Sequence, residues 1–314
     1  MSTCSLTTKS TFFSRLRLAA VSFVSAPASP RPLAALRIGL AAVLLLQALA
    51  IGGKLTEIYG PQGIIQWSVA DLLSPEGMPR IGWIALALAP YGVSAEDCVR
   101  AVFMVQVGSL ACLLIGWHTR LAALLAWLAH LTMTATGNAS IYGVDQFAII
   151  ALFYCVVMPV GEVWSADRAA GRTTGEPSAG ARLALRVLQL HMCIVYLSSG
   201  IEKGSGEQWW NGEAIWRALL WPTMAFFDFS WLAQVQWLAK LICWGTLLVE
   251  VGYAIFIWPR LTRRLWLLAT IGLHAGIALT MGLVFFSAVM IVLNIAAFGV
   301  SGEIQPGGAN PKRS

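Results

Sequence analysis

The stretch PLAALRIGLAAVLLLQALAI, residues 32–51, decides the fold class of this chain. An α-helix needs about 20 largely apolar residues to cross the hydrocarbon core of a bilayer. This run has that length, and only Arg37 and Gln47 interrupt it with strongly polar side chains. The basic, Ser-rich residues before it do not resemble a cleavable secretory signal, so we interpret the run as a transmembrane helix.

Composition extends this interpretation to the whole chain. Of its 314 residues, 58% are hydrophobic and only 11% are charged, whereas a soluble domain carries about 25% charged residues. The 14 Trp residues are typical of proteins with side chains at membrane–water interfaces. The net charge of +6 does not indicate a nucleic-acid partner, because the basic residues lie in short clusters between apolar runs. The partner that composition predicts is the lipid bilayer.

Further apolar runs predict an all-α, polytopic transmembrane bundle of about eight helices. Residues 263–300 could instead form one long kinked element. The run Ile81–Ala89 is too short to span and predicts an interfacial or re-entrant helix, and Glu213–Leu220 predicts a short amphipathic helix. The predicted spans are 32–51, 95–117, 120–135, 144–159, 182–201, 231–258, 265–281 and 285–300.

Basic residues predict the orientation, since cytoplasmic loops are enriched in Lys and Arg. Arg15, Arg17 and Arg31 place the N-terminus inside, and eight spans then return the C-terminus inside as well. We therefore expect a basic, disordered cytoplasmic tail at 1–31, a membrane domain at 32–300 and a cytoplasmic tail at 301–314. The loops with the most polar motifs then face outward.

Ionisable residues inside spans are candidate functional residues, because they are costly in lipid. Lys203 ends the fifth span. It could be a lysine that extends to the interface or, where partly desolvated, a base, with Glu202 as its possible ion partner. His274 lies within the seventh span, where a histidine that bridges two helices is the ordinary interpretation. Gly200 would let a backbone or a ligand approach closely.

Other polar residues leave structural and functional alternatives open. Glu250 lies within the sixth span and must be protonated or paired there, for a structural or a proton-relay role. Asp145 is either a helix cap or an inward-facing acid, and His130 and His191 are interpreted as structural. The Cys and His residues show no metal-ligand spacing, so no metal site is predicted.

At these positions the sequence resembles the HTTM (horizontally transferred transmembrane) family, which includes relatives of the vitamin K-dependent gamma-carboxylases. The resemblance covers about Leu33 to Phe298, and its motifs occur in family order. They are Arg37-Ile-Gly-Leu40, Tyr59-Gly-Pro-Gln-Gly63, Gly143-Val-Asp145, Pro159-Val-Gly-Glu-Val-Trp-Ser-Ala-Asp167, Tyr196-x-x-Ser-Gly-x-x-Lys203, Trp210-Asn-Gly-Glu-Ala214 and His274-Ala-Gly-Ile-Ala-Leu-Thr-Met-Gly-Leu-x-x-Phe286.

The resemblance implies a quinol-dependent enzyme of carboxylase type. In the carboxylases the lysine matching Lys203 deprotonates reduced vitamin K, and a histidine matching His274 lies nearby. We therefore expect Lys203 and His274 to be catalytic and the cofactor to be a reduced menaquinone or vitamin K-type quinol. The residues expected to line the quinol pocket are Asn138, Asp145, Tyr196, Ser199, Gly200, Trp210 and Phe286.

The sequence also departs from the carboxylases. Ala139 stands where they carry a further histidine, and their large luminal domain has no counterpart here, so peptide carboxylation by this chain alone is not expected. The alternative is a non-catalytic membrane protein that assists peptide maturation, export or sensing, with a peptide or protein partner. Transport is weaker, because no inverted repeat is visible. The expected location is a bacterial inner membrane.

Overall fold

The computed structural model describes residues 12–64, 66–73, 77–137, 142–220 and 227–303, and their regular secondary structure is helical. One isolated bridge, between Ala28 and Ser178, is the only extended pairing among these residues. The predicted all-α fold class is confirmed. The α-helices are α1 (Phe12–Ser25), α2 (Arg31–Gly52), α3 (Leu55–Tyr59), α4 (Trp67–Leu73), α5 (Ile81–Leu88), α6 (Ala95–Ile115), α7 (Thr119–Thr136), α8 (Gly143–Val157), α9 (Ala166–Ala169), α10 (Ala179–Gly204), α11 (Glu207–Asn211), α12 (Glu213–Leu219), α13 (Gln236–Phe256), α14 (Arg260–Met281) and α15 (Val284–Asn294).

Each predicted span corresponds to one of these helices, namely α2, α6, α7, α8, α10, α13, α14 and α15 in order. Within the described residues, five of them, α2, α6, α10, α13 and α14, are long and apolar enough to cross a membrane. The chain is therefore a multi-pass integral membrane protein. The count of eight spans and the inward orientation of both termini stay predictions.

Large apolar side chains cover the outside of the bundle. Helix α14 is the clearest case, since only 11% of its most apolar stretch is buried within the protein. Leu261, Leu268 and Leu279 on this helix are 91%, 67% and 71% exposed. Water is a poor solvent for such a surface, so the helix lies against lipid.

Local sequence sets the helix boundaries. The Ser94 Oγ accepts a hydrogen bond from the Asp97 backbone N–H (3.1 Å) and so caps α6. Gly282 has φ +68°, a left-handed conformation that ends α14 and favours glycine. This turn divides residues 263–300 into α14 and α15, and a π-helical turn at Ile295–Gly299 follows α15. The alternative of one continuous kinked element is wrong.

Helix α2 lies at the centre of the bundle and carries a fully buried Arg37. The Arg37 Nη1 donates to the carbonyls of Leu113 (2.6 Å) and Leu114 (2.7 Å) in the last turn of α6, where backbone carbonyls lack the usual partner four residues further along the chain. Its Nε donates to Val160 O (3.1 Å) and its Nη2 to Trp164 O (2.6 Å). One guanidinium therefore joins α2, the end of α6 and the segment after α8.

Asp167 caps the next helix in the same region. Its carboxylate accepts hydrogen bonds from the backbone N–H groups of His118 (3.0 Å) and Thr119 (2.8 Å) and from the Thr119 hydroxyl (2.7 Å). The Arg172 Nη1 lies 2.8 Å from the same carboxylate. Burial alone would raise the pKa of Asp167, but these hydrogen bonds outweigh it and hold the pKa below its ordinary value.

The N-terminal segment differs from the prediction. Residues 12–25, expected to belong to a disordered tail, form helix α1, which packs against α10. The docking contacts are made by Arg186, whose Nε donates to Phe23 O (3.0 Å), and by Arg182, whose Nε donates to Ala26 O (2.8 Å). The sequence did not predict this helix because the residues of α10 that it packs against lie more than 150 positions away in the chain. The boundaries of the three predicted segments stay predictions.

The short helices agree in position with the prediction. The run Ile81–Ala89 forms α5 and a following 3-10 turn at Ala89–Tyr91, and the predicted amphipathic helix corresponds to α12. Gly212, with φ +90°, supplies the turn before α12. The interfacial location of these helices stays a prediction.

Replacing the Asp167 carboxylate should destabilise the protein. We expect Asp167→Asn to lower the free energy of unfolding by about 1–3 kcal/mol at neutral pH. The reason is that the amide has one acceptor oxygen, whereas the donors around Asp167 bind both oxygens of its carboxylate. The folded pKa of Asp167 is lowered, so its contribution is present above the unfolded pKa and is lost as pH falls through the folded value. The thermal midpoint in detergent, followed by Trp fluorescence, should therefore fall less steeply with acid in the variant. The control is Asp97→Asn, at an exposed carboxylate, and equal effects of the two changes would contradict the assignment.

Candidate functional site

Lys203 lies in the last turn of α10 and is held by three hydrogen bonds. Its Nζ is 2.8 Å from both carboxylate oxygens of Glu250 on α13 and also donates to the Ser199 Oγ one turn earlier. These contacts use all three N–H groups of an ammonium. The Lys203 side chain is 26% exposed and that of Glu250 only 8%, so the pair lies at the edge of the packed interior.

Glu250 reaches Lys203 because α10 and α13 approach closely at Gly200. A Cβ at Gly200 would lie 3.0 Å from the Val251 backbone nitrogen and 3.1 Å from the Glu250 Cβ. Any larger residue would push the two helices apart. The prediction that Gly200 permits a close approach is confirmed, and what approaches is the backbone of α13.

A second polar group lies deeper between α10, α13, α14 and α15. The Tyr253 hydroxyl donates to Asn294 Oδ1 (2.7 Å), and the Asn294 Nδ2 donates to the Tyr196 hydroxyl oxygen (2.7 Å). Tyr196 in turn lies 2.8 Å from His274 Nε2. Because Tyr196 accepts from Asn294, its own hydrogen is available for His274, and Nε2 is then the acceptor. This direction leaves the His274 hydrogen on Nδ1.

The His274 Nδ1 has no hydrogen-bond partner among the described residues, although the side chain is only 4% exposed. A buried donor without a partner is costly and rare in a folded protein. The Ser287 Oγ, on α15, is also buried and has no hydrogen-bond partner among the described residues. The hydrogen-bonded chain therefore ends in a donor that a bound polar group could satisfy.

The two polar groups are neighbours along the same helices. Tyr196, Ser199 and Lys203 are spaced by three and four residues and so share one face of α10. Glu250 and Tyr253 are likewise one turn apart on α13, and the Tyr196 and Tyr253 rings lie 4.3 Å apart. Lys203 and His274 therefore belong to one continuous polar strip, with Lys203 at its outer edge and His274 inside.

Phe286 closes this strip on the side of α8. Its ring lies 5.7 Å from the His274 ring and 6.1 Å from the Phe147 ring. A Cβ at Gly143 would lie 2.9 Å from Phe286 Cε2, so Gly143 makes room for the ring. Phe286 therefore contacts the predicted catalytic histidine, as a residue that lines its surroundings would.

Asp145 belongs to a different cluster, on the α7 side of α8. One carboxylate oxygen accepts from the Tyr142 N–H (3.2 Å) and caps the helix, and the other lies 4.0 Å from His130 Nε2. The Gln106 amide lies 3.1 Å from the other ring nitrogen of His130. Asp145 is thus both cap and inward-facing acid, and it is not in contact with Lys203. Asn138 lies outside the described residues.

Two tryptophans take different positions beside Lys203. The Trp209 ring centroid lies 5.5 Å from Lys203 Nζ, in a cation–π contact. Trp210, the residue predicted to line the pocket, instead donates from Nε1 to Gly204 O (2.8 Å) and is 56% exposed. It lines an apolar groove of about 420 Å³ on α13, together with Trp244, Leu247, Leu248 and Val251.

The sequence left three features of the site unassigned. The expected ion partner, Glu202, is exposed, and Glu250 is the partner instead. Glu202 directly precedes Lys203 on α10, and side chains of consecutive helical residues do not face each other, whereas Glu250 lies on another helix that packs against α10. Tyr253 and Asn294 were missed, although a polar residue within an apolar span is a signal in itself. No group of His, Cys, Asp and Glu in the described ranges could hold a metal.

Comparison with known proteins gives two matches. A family model described as the HTTM domain matches residues 86–300, and the first two motifs of the resemblance lie outside that range. "Uncharacterized protein YitO" of Bacillus subtilis (strain 168) is 26% identical over 201 residues, which are 59% of this chain and 62% of that protein. The match thus covers less than two thirds of that relative's length. No solved structure matches the chain.

Removing the Glu250 charge should destabilise the bundle. In Glu250→Gln the Lys203 ammonium loses its counter-ion in a site that is mostly buried, and we expect a cost of about 2–3 kcal/mol. The matched control is Glu202→Gln, which removes the same charge from an exposed position and should change stability by less than about 0.5 kcal/mol. Both are measured as shifts of the thermal midpoint in one detergent. Equal shifts would show that Lys203 does not depend on Glu250.

Proposed function

We propose that this chain, which belongs to the HTTM family, binds a lipid quinol beside α10, α13 and α14 and removes a proton from it with Lys203. One observation carries the proposal: the Lys203–Glu250 pair lies on the same polar strip as a buried His274 whose Nδ1 lacks a partner. A base and a hydrogen-bond donor at adjacent places suit a substrate that loses a proton from a ring hydroxyl.

Lys203 becomes a base only after its ammonium gives up a proton, and Glu250 can accept it. The two Nζ–carboxylate contacts of 2.8 Å are short enough for a proton to pass directly between the groups. The products are a neutral amine and a neutral carboxylic acid, a combination that a lipid-filled pocket tolerates better than an isolated charge. The amine lone pair is then free to take a proton from a bound hydroxyl group.

His274 has the complementary role of a donor. Its Nε2 accepts from Tyr196, and the chain through Asn294 and Tyr253 fixes this direction. The Nδ1–H is thereby oriented before any ligand arrives, and it would stabilise negative charge on a quinol oxygen without reorganisation. A bound quinol supplies two hydrogens and two electrons, and its epoxidation by O2 releases the second oxygen atom as water.

The apolar groove along α13 supports a lipid-soluble substrate. Leu247, Leu248 and Val251 in its wall flank Glu250 in sequence, so the groove lies at the level of the ion pair. An isoprenoid tail could lie there while the ring faces the polar strip. Trp210, which lines the groove, would then contact the tail. A reduced menaquinone or vitamin K-type quinol fits this description.

Location and partners complete the proposal. A bacterial inner membrane is consistent with the relative from Bacillus subtilis, and a secreted peptide would meet the site from the outward side. If the protein is instead non-catalytic, the same polar contacts hold the helices together, and a peptide or protein partner replaces the quinol.

Replacing Lys203 with arginine should separate the base from the ion pair. Arginine keeps the positive charge beside Glu250 but does not give up its proton in proteins, so quinol binding should persist while turnover is lost. We expect quinone-epoxide formation under O2 by the purified protein, and a fall of at least about 100-fold in Lys203→Arg. Mass spectrometry measures the product, and Trp fluorescence measures binding.

The matched control is Lys54→Arg, at an exposed lysine in another loop that is predicted to face outward, and it should leave the rate unchanged. Equal rates in Lys203→Arg and the unmodified protein would remove Lys203 as the base. No epoxide from the unmodified protein, together with no binding of the quinol, would favour the non-catalytic alternative.

A further inference from the structure

The end of the bundle opposite Lys203 contains a cavity of about 540 Å³ between the starts of α10 and α14 and the segment after α15. It lies about 25 Å from Lys203 along α10, at 1.5 Å per helical residue, on the side predicted to be cytoplasmic. Its charged lining residues are Arg182, Arg186, Arg260, Arg263, Arg264 and Glu303. Five guanidinium groups therefore face a single carboxylate.

Most of these arginines are hydrogen-bonded to neutral groups. The Arg263 Nη2 donates to Trp258 O (2.6 Å), and the Arg182 Nε donates to Ala26 O (2.8 Å). The Arg186 Nη1 donates to the Gln189 side-chain oxygen (2.7 Å). A carbonyl partner satisfies an N–H group but does not cancel the charge of a guanidinium. The cavity is thus ordered by these contacts and stays strongly positive.

Two further observations indicate an anionic ligand. Glu303 places both carboxylate oxygens within hydrogen-bond distance of Arg260 Nη2 (2.6 and 2.7 Å), and the hydrogen bond and charge of Arg260 lower the pKa of Glu303. A carboxylate of the chain thus already uses part of the cavity. The guanidinium of Arg264 donates no hydrogen bond to, and forms no ion pair with, the residues that the structure describes. One cation therefore remains available to a second anion.

The surroundings of the cavity favour a lipid over a free ion. Leu261, which lines the cavity, is 91% exposed, and Leu265 one turn further along α14 is 63% exposed. These side chains continue from the arginines along the surface that lies against lipid. An acyl chain could follow them while a phosphate remains beside the guanidinium groups, and basic pockets between membrane helices commonly bind lipid headgroups in this way.

We propose that this cavity binds the phosphate headgroup of an anionic phospholipid from the adjoining leaflet. The site does not rest on the proposed quinol chemistry, because the two lie at opposite ends of α10. Since Arg182 and Arg186 also hold α1, a bound headgroup would adjoin the contacts that dock the N-terminal helix.

Native mass spectrometry of the full chain with phosphatidylglycerol, phosphatidylcholine or inorganic phosphate tests the proposal. We expect selective retention of phosphatidylglycerol and about fivefold weaker binding in Arg264→Gln, the effect of one basic residue at an anionic surface. Glu303→Gln should bind about fivefold more tightly, because the competing carboxylate loses its charge. A gain of affinity cannot result from misfolding.

The matched control is Arg100→Gln, which removes an exposed arginine at the other end of the bundle and should leave retention unchanged. Three results would each overturn the proposal. They are equal retention of phosphatidylcholine, unchanged affinity in both Arg264→Gln and Glu303→Gln, and binding of inorganic phosphate that displaces the lipid at comparable concentration. The last result would identify a site for free phosphate.

Discussion

The ion pair between Lys203 and Glu250 is the interaction on which the arrangement of the candidate site depends. Lipid supplies no hydrogen-bond partners, so polar groups within a membrane bundle must find them in the protein. Lys203 finds Glu250 only because Gly200 allows α13 to pack directly on α10. The same helix contact brings Tyr253 against Tyr196, and so it orders both halves of the polar strip. At the other end of the bundle Arg37 meets the same constraint with four backbone carbonyls.

These polar groups differ in whether their hydrogen-bond donors all have partners, and that difference separates structural from chemical roles. Arg37 is surrounded by acceptors and has no evident task beyond joining helices. The strip around His274 is different, because its hydrogen-bonded chain ends in a buried Nδ1 without a partner among the described residues. Lys203 lies between these cases, since its ammonium is fully bonded and yet its main partner can take a proton. The proposed quinol chemistry follows from this combination and not from the lysine alone.

Sequence reasoning predicted the fold well, because the length and polarity of a membrane helix are local properties. The eight predicted spans each correspond to a helix, and the break at Gly282 was the one boundary left open. The site was predicted only in part. Motifs identified Lys203, Tyr196 and His274. The partner of Lys203, however, depends on how α13 packs against α10, and the spacing of residues within α10 cannot predict that packing. For the same reason the sequence singled out Asp145 and Trp210 as candidate site residues but did not predict which residues they contact. The packing of α1 against Arg186 was not predicted either.

A double-mutant cycle between Lys203 and Glu250 tests the ion pair most directly. Stability would be measured for Lys203→Met, Glu250→Gln and the double variant in one detergent, since a cycle isolates the term that the two side chains share. The structure predicts that the double variant is more stable than the sum of the single effects allows, by about 1–3 kcal/mol, because each single change leaves one charge in a poorly solvated place. Additive effects within about 0.5 kcal/mol would contradict the pairing, and with it the route by which Lys203 is proposed to become a base.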